Sequence, residues 1–227
     1  MINIGIVKDW AKKNDYLRSS YGSNPNLVIV GEEHKHKKMR EQQELFLARL
    51  NPKYLLHEGF RACTYNPKTD KTDVKEYTNN PQPDITQALS GNEYLTNWSK
   101  QYSIPLIGCD ISLNELDQFA KTLPEEFPDK YEEEPPVGMF GTSETFLEGI
   151  QTSVIRTGRE LGYEDKRVKL HRDKRIGEII AEQANKTKKS LMAIIGADHM
   201  RPASSLHNIL KKAKIGYVCI DQTYKRK

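Results

Sequence analysis

The sequence predicts an α/β fold with a central, mainly parallel sheet of about five strands flanked by helices. Five short apolar runs recur along the chain, at Leu27–Val30, Tyr54–Glu58, Ile104–Gly108, Leu191–Ile195 and Tyr217–Ile220. Continuous runs of this length, rich in branched residues, read as strands buried on both faces. Segments with helical apolar spacing lie between them, and strands alternating with helices imply crossover units and a parallel sheet. Two runs also end alike, in Val28-Ile29-Val30-Gly31-Glu32-Glu33-His34 and Ala193-Ile194-Ile195-Gly196-Ala197-Asp198-His199. With Gly 14 and His 6 in 227 residues, chance supplies about 0.4 Gly-x-x-His matches. Two matches, each closing a strand, mark a shared edge.

Taken in order, the segment up to about Pro25 has no decisive pattern. Lys37–Leu50 carries apolar residues at Met39, Leu45, Phe46, Ala48 and Leu50, with Asn51-Pro52 as its stop. Ile85–Tyr102 and Leu113–Leu123 read as further helices. Lys68–Pro83 is polar and irregular, and the acidic, proline-rich stretch of about 124–141 reads as a surface loop. Glu144–Leu161 and Lys166–Asn185 make a helical excursion before the fourth strand, the latter with Ile176, Ile179, Ile180 and Ala184 at helical spacing. The length suits a single α/β domain over residues 1–227.

Composition narrows the function. The net charge of +4 is the small difference between 35 basic and 31 acidic residues that are interspersed, so nucleic-acid binding is not demanded. The basic clusters Lys35–Arg40, Lys166–Arg175 and Lys225–Lys227 leave it as a third reading, against solvated helix faces and a frayed tail. No apolar run approaches the roughly 18 to 20 residues of a membrane span, and Met1–Asp9 has neither a basic lead-in nor a small-residue cleavage site. The expectation is a cytoplasmic protein that does not engage a membrane. Cys63, Cys109 and Cys219 are odd in number and lack C-x-x-C spacing, which argues against disulfides and zinc thiolates.

In a parallel sheet every strand delivers its last residues to one edge, where open α/β sheets bind ligands. His34, Glu58, Asp110 and His199 are expected to converge there. Two histidines and a carboxylate are N and O donors for zinc, manganese or cobalt, so His34, Glu58 and His199 form a candidate metal set. A backbone-bonded turn histidine and a structural salt bridge are the competing explanations for His34 and Glu58. His57 is expected to point to the opposite face and to be structural. Glu32 is the candidate general base. Arg172, four residues before Ile176 and seven before Ile179, falls on the apolar face near the start of its helix, placed to neutralise Glu58 or hold an oxyanion. Its alternative is a surface pair with Asp173. Glu33, His36, Asp110 and Asp198 stand one step behind, able to orient the ligands. There is no Gly-x-Ser-x-Gly, no phosphate-cradling glycine loop and no His-Glu-x-x-His, which disfavours serine hydrolases, P-loop nucleotidases and zincins.

This ordered set, Gly31 to His34, Glu58, Arg172 and Gly196 to His199, resembles the superfamily that joins erythromycin esterases, TraB/PrgY pheromone-shutdown proteins, Tiki proteases and ChaN-type haem-binding lipoproteins. The resemblance implies an α/β fold with a central sheet. Its Tiki branch implies metal-dependent peptide hydrolysis with manganese or cobalt. Its esterase branch implies water activation by the first-motif histidine and glutamate, and its ChaN-like branch implies haem binding without a need for catalysis. The expectation is a hydrolase that activates water, with a divalent metal, to cleave an ester or amide bond in a small-molecule or peptide substrate. His34, Glu32 and Arg172 would be its catalytic residues, and binding of haem or another ligand is the alternative.

Overall fold

The computed structural model describes residues 4–33, 37–61, 63–74, 93–123, 166–202 and 204–223. In chain order these form α1 (Ile4–Lys13), β1 (Leu17–Tyr21), β2 (Leu27–Glu32), α2 (Lys37–Leu50), β3 (Tyr54–Arg61), β4 (Cys63–Asn66) and β5 (Lys71–Val74). There follow α3 (Glu93–Tyr102), β6 (Leu106–Asp110), α4 (Leu113–Thr122), α5 (Lys166–Asn185), β7 (Leu191–Gly196), a 3-10 turn (Ala197–Met200), α6 (Leu206–Lys212) and β8 (Tyr217–Asp221). The chain divides into two units, Met1–Ser112 with Leu170–Lys227, and Leu113–Lys169. All eight described strands belong to the first; of the second, α4 and the opening residues of α5 are described.

The strands make one sheet in the order β1-β8-β2-β7-β3-β6-β4-β5. Its middle, β8-β2-β7-β3-β6, is parallel throughout, and these are the five expected strands. The sheet is larger than expected because β1 adds antiparallel to β8 at one edge, while β4 and β5 add antiparallel beyond β6 at the other. Lys71–Val74, read from sequence as part of an irregular stretch, is one of these strands. Its hairpin is closed locally: the Asn66 side chain accepts from the Lys68 N–H at 3.0 Å, and the Tyr65 hydroxyl donates to Asp70 at 2.7 Å. α2 and α5 match their expected bounds. Asn51 ends α2 with a left-handed φ of 41° ahead of Pro52. The acidic loop of about 124–141, the helix at Glu144–Leu161 and residues 85–92 of the third helix lie outside the described residues.

Alternation along the strands separates two cores. On one face Val28, Val30, Leu55, Leu106, Met192, Ile194, Val218 and Ile220 pack with buried residues of α1, α2 and α3. On the other Leu27, Ile29, Leu56, Ile107, Cys109, Ala193, Ile195 and Cys219 pack with Ile176 and Ile180 of α5 and Leu206 and Leu210 of α6. Each such aliphatic residue removed from water stabilises the fold by about 1.5–3 kcal/mol, which is why runs apolar on both sides become central strands. The three cysteines are free and buried; burial pushes the Cys219 thiol up to about 12.

One close approach ties the two Gly-x-x-His stretches together. A Cβ on Gly31 would collide with the Met200 side chain and lie 3.2 Å from the Ala197 backbone. Glycine in the first stretch therefore makes room for the turn that carries His199 of the second. At the far end of that turn His207 reaches the Met200 carbonyl at 3.0 Å with one ring nitrogen and the Tyr217 hydroxyl at 3.1 Å with the other.

Candidate functional site

Four of the parallel strands carry an acidic residue towards their ends, Glu32 on β2, Glu58 in β3, Asp110 on β6 and Asp221 on β8, while β7 ends on Gly196. The residues of this edge fall into two clusters, one on each face of the sheet.

On the α5 face, His199 stands between two carboxylates. Its Nε2 lies 3.2 Å from Glu58 Oε2, and its Nδ1 is bonded to Asp173 of α5. Glu58 Oε2 also accepts the Gly196 N–H at 2.7 Å, so the strand end that leads to His199 also aims the carboxylate facing it. Burial alone would lower the histidine pKa and the Arg172 charge acts in the same sense, but the Asp173 hydrogen bond and the Glu58 charge outweigh them and raise it. Arg172 grips Asp110 with two donors, Nε at 3.3 Å and Nη2 at 2.8 Å, while Asp110 Oδ1 also accepts the Ile111 N–H at 2.8 Å. Such two-point guanidinium–carboxylate pairing fixes orientation as well as charge.

On the α2 face, the Glu32 carboxylate accepts from Gln43 Nε2 at 2.7 Å and stands 3.7 Å from His57 Nε2. Gln43 Nε2 also reaches Gln222 at 2.9 Å. His57 Nε2 lies 3.2 Å from the Tyr94 hydroxyl, whose ring carries the Arg40 guanidinium 4.1 Å from its centroid. His57 Nδ1 accepts the Gly59 N–H at 2.9 Å. That bond assigns the ring proton of neutral His57 to Nε2 and leaves no lone pair for a metal or a substrate.

The expected convergence is thus corrected in part. Of the four residues expected to converge, Glu58 and His199 meet, and Asp110 pairs with Arg172 of α5; the candidate base Glu32 faces the other side, because residue 32 shares a face with Val28 and Val30. Asp198 points to solvent, paired with Arg201 at 2.5 Å. Glu33 is exposed, its N–H 3.4 Å from the Met39 sulfur, and His34 and His36 lie outside the described residues. Asp173 was missed as a site residue although its spacing announced it: three, four and seven residues before Ile176, Gly177 and Ile180, it too falls on the inward stripe of α5. Gln43, Gln222 and Tyr94 carried no comparable signal.

As metal donors, His199 Nε2 and Glu58 Oε2 at 3.2 Å match the separation of about 3.3 Å between two ligands of one tetrahedral zinc-sized ion. Asp173 faces the opposite ring nitrogen, so it orients the ring and does not complete the set. Among the described residues no three His, Cys, Asp or Glu side chains gather to hold a metal ion, and no described helix is long and apolar enough to cross a membrane.

No family model and no curated protein matches the chain. One solved structure is reported as similar. It is that of cofacial heme binding to ChaN of Campylobacter jejuni, with a TM-score of 0.45 and 14% identity over 89% of this chain and 83% of that one.

Proposed function

We propose that the protein holds a metal centre at the carboxyl edge of its sheet through His199 and Glu58, and that with a divalent ion there it hydrolyses an ester or amide bond of a small-molecule or peptide substrate. What supports the reading is the Asp173–His199–Glu58 array. A carboxylate on one ring nitrogen of a histidine orients the ring and raises the basicity of the other, the usual setting of a metal-bound imidazole. A manganese, cobalt or zinc ion would supply an activated water. The chain's own part is to hold the groups around it. Asp173 keeps the proton of a neutral ring on Nδ1 and leaves the Nε2 lone pair facing Glu58, and the Gly196 N–H fixes that carboxylate. Arg172, clamped by Asp110, keeps a positive charge where an acyl oxygen would gain negative charge. His34 is proposed as the third donor on the strength of its Gly-x-x-His stretch. Metal analysis of the purified protein, reloaded with manganese, cobalt or zinc, tests this: near-stoichiometric metal is expected in the wild type and its loss in His199→Ala. Metal retained by His199→Ala would overturn the assignment.

A second reading is haem binding without catalysis, haem being the ligand of the ChaN structure. The observation that favours it is the position of Glu32, whose carboxylate lies on the far face and leaves the array without the base expected there. An imidazole backed by Asp173 would equally serve to hold a haem iron. Haem titration separates the two: a saturable Soret shift abolished by His199→Ala supports haem, and its absence alongside stoichiometric divalent metal supports the hydrolase.

A further inference from the structure

We infer that His57 is a positioning residue for Glu58: from the α2 face it pins the backbone irregularity that begins immediately after Glu58 and so holds that residue's side chain towards His199 on the α5 face. Between the pairs His57–Gly108 and Arg61–Asp110, β3 advances four residues while β6 advances two. The surplus lies at Glu58, Gly59 and Phe60. Leu55 packs in the α2-face core and Leu56 in the α5-face core, so Phe60 would belong with Leu56 if alternation ran on; instead it packs with Leu55. The alternation therefore reverses around Gly59, immediately after Glu58.

The group that holds this reversal is His57 Nδ1, which accepts the Gly59 N–H. Its other nitrogen meets Tyr94 of α3 and faces Glu32 of β2, so the ring is held from both ends and is 1% exposed. Glu58, framed between His57 and Gly59, has its side chain on the opposite side of the sheet, on the Gly196 N–H and His199. One imidazole thereby links the buried polar network of one face to the proposed metal donors of the other.

This inference deepens the metal-centre reading and rests on it for the ligand, but not for the geometry, and the test keeps the two apart. Asparagine accepts a backbone N–H two residues ahead, so His57→Asn retains the bond to Gly59 and gives up Tyr94. His57→Gln reaches towards Tyr94 and gives up the i+2 acceptor. The first readout needs no metal: amide exchange and chemical shift of Gly196, whose N–H reports where the Glu58 carboxylate is. In His57→Gln the Gly196 amide is expected to exchange about tenfold faster and to lose its carboxylate-bonded shift, and in His57→Asn to remain as in the wild type. The second readout is Mn²⁺ affinity, expected to fall roughly ten- to a hundredfold in His57→Gln and to hold in His57→Asn. An unchanged Gly196 amide in His57→Gln, or equal disturbance in both variants, overturns the positioning role. If Gly196 responds as expected but the wild type takes up no Mn²⁺, the positioning role stands and the divalent-metal reading falls.

Discussion

The two faces of the sheet end in polar clusters built from the same residue types, a glutamate beside a histidine, yet they are finished in opposite ways. On the α2 face Glu32 and His57 are 4% and 1% exposed. Neutral amides close around them, Gln43 on Glu32, Gln222 on Gln43, and Gln222 in turn on Gln42 at 3.0 Å and the Met39 carbonyl at 3.2 Å. On the α5 face His199 and Asp173 are 14% and 16% exposed, and the partners are charges rather than amides. A buried carboxylate served by amide donors and a histidine with both nitrogens committed form a closely paired hydrogen-bond network, with the Gln43 amide oxygen alone left over among its members, and such a network specifies a fold. A histidine flanked by two carboxylates at a partly open rim instead favours a positive charge, whether a proton or a metal. The comparison teaches that residue identity at a sheet edge does not mark a site; the chemistry and access of the partners do.

The contrast breaks most visibly at Arg172. Asp110 is 1% exposed, and removing one member of a buried pair leaves the other charge uncompensated. Arg172→Met is expected to destabilise the protein by about 3–5 kcal/mol in urea denaturation, and Arg172→Met with Asp110→Asn by clearly less. Equal losses in the single and double variants would show that the pair is not what holds α5 at this edge.

A smaller effect sharpens the reading of the α2 face as structural. Gln43→Leu takes the amide donor from Glu32 in a fully buried position and is expected to cost about 1–3 kcal/mol, while metal or haem binding stays at the wild-type level. A variant of wild-type stability that bound neither would move the functional site to this face.

The gentlest probe is pH in the metal-stripped protein. The folded-state pKa of His199 lies above its ordinary 6.5; burial pulls it down, but the Asp173 hydrogen bond and the Glu58 charge pull harder in the other direction. Its contribution to stability is therefore fully present below the unfolded value and is lost as pH rises through the folded one. Wild type is expected to lose stability over that window relative to His199→Phe, measured by urea midpoints in chelator. Parallel pH curves for the two proteins would remove the charged sandwich from the account.

Much of this architecture is legible in the sequence, for specific reasons. Val28-Ile29-Val30 and Ala193-Ile194-Ile195 are apolar on both sides because both sides are covered, and that signal needs no partner to interpret. Leu17–Tyr21, Cys63–Asn66 and Lys71–Val74 are four or five residues long and largely polar; they are strands because a neighbour offers hydrogen bonds, which no local pattern states. The site divides in the same way. Glu58 and Arg172 follow from a strand end and a helical stripe. The face of Glu32 was within reach of the alternation rule applied to His57, since Val30, Ile194 and His57 stand level across β2, β7 and β3. The Gln43 and Gln222 amides were out of reach, because they meet only when α2 and the end of β8 pack together, 179 residues apart in sequence.

The bond from Gly196 to Glu58 joins residues 138 apart in the chain, and this sets a timetable. Contacts of such separation form only after the intervening loop has closed, and that closure delays parallel strand pairing during folding. Neither donor of the proposed centre has its partner geometry until β3, β7 and the turn beyond β7 have assembled. A metal or haem supplied during refolding therefore finds no preformed site in the early chain. It acts as a lock on the finished sheet, slowing its unfolding without hastening its birth.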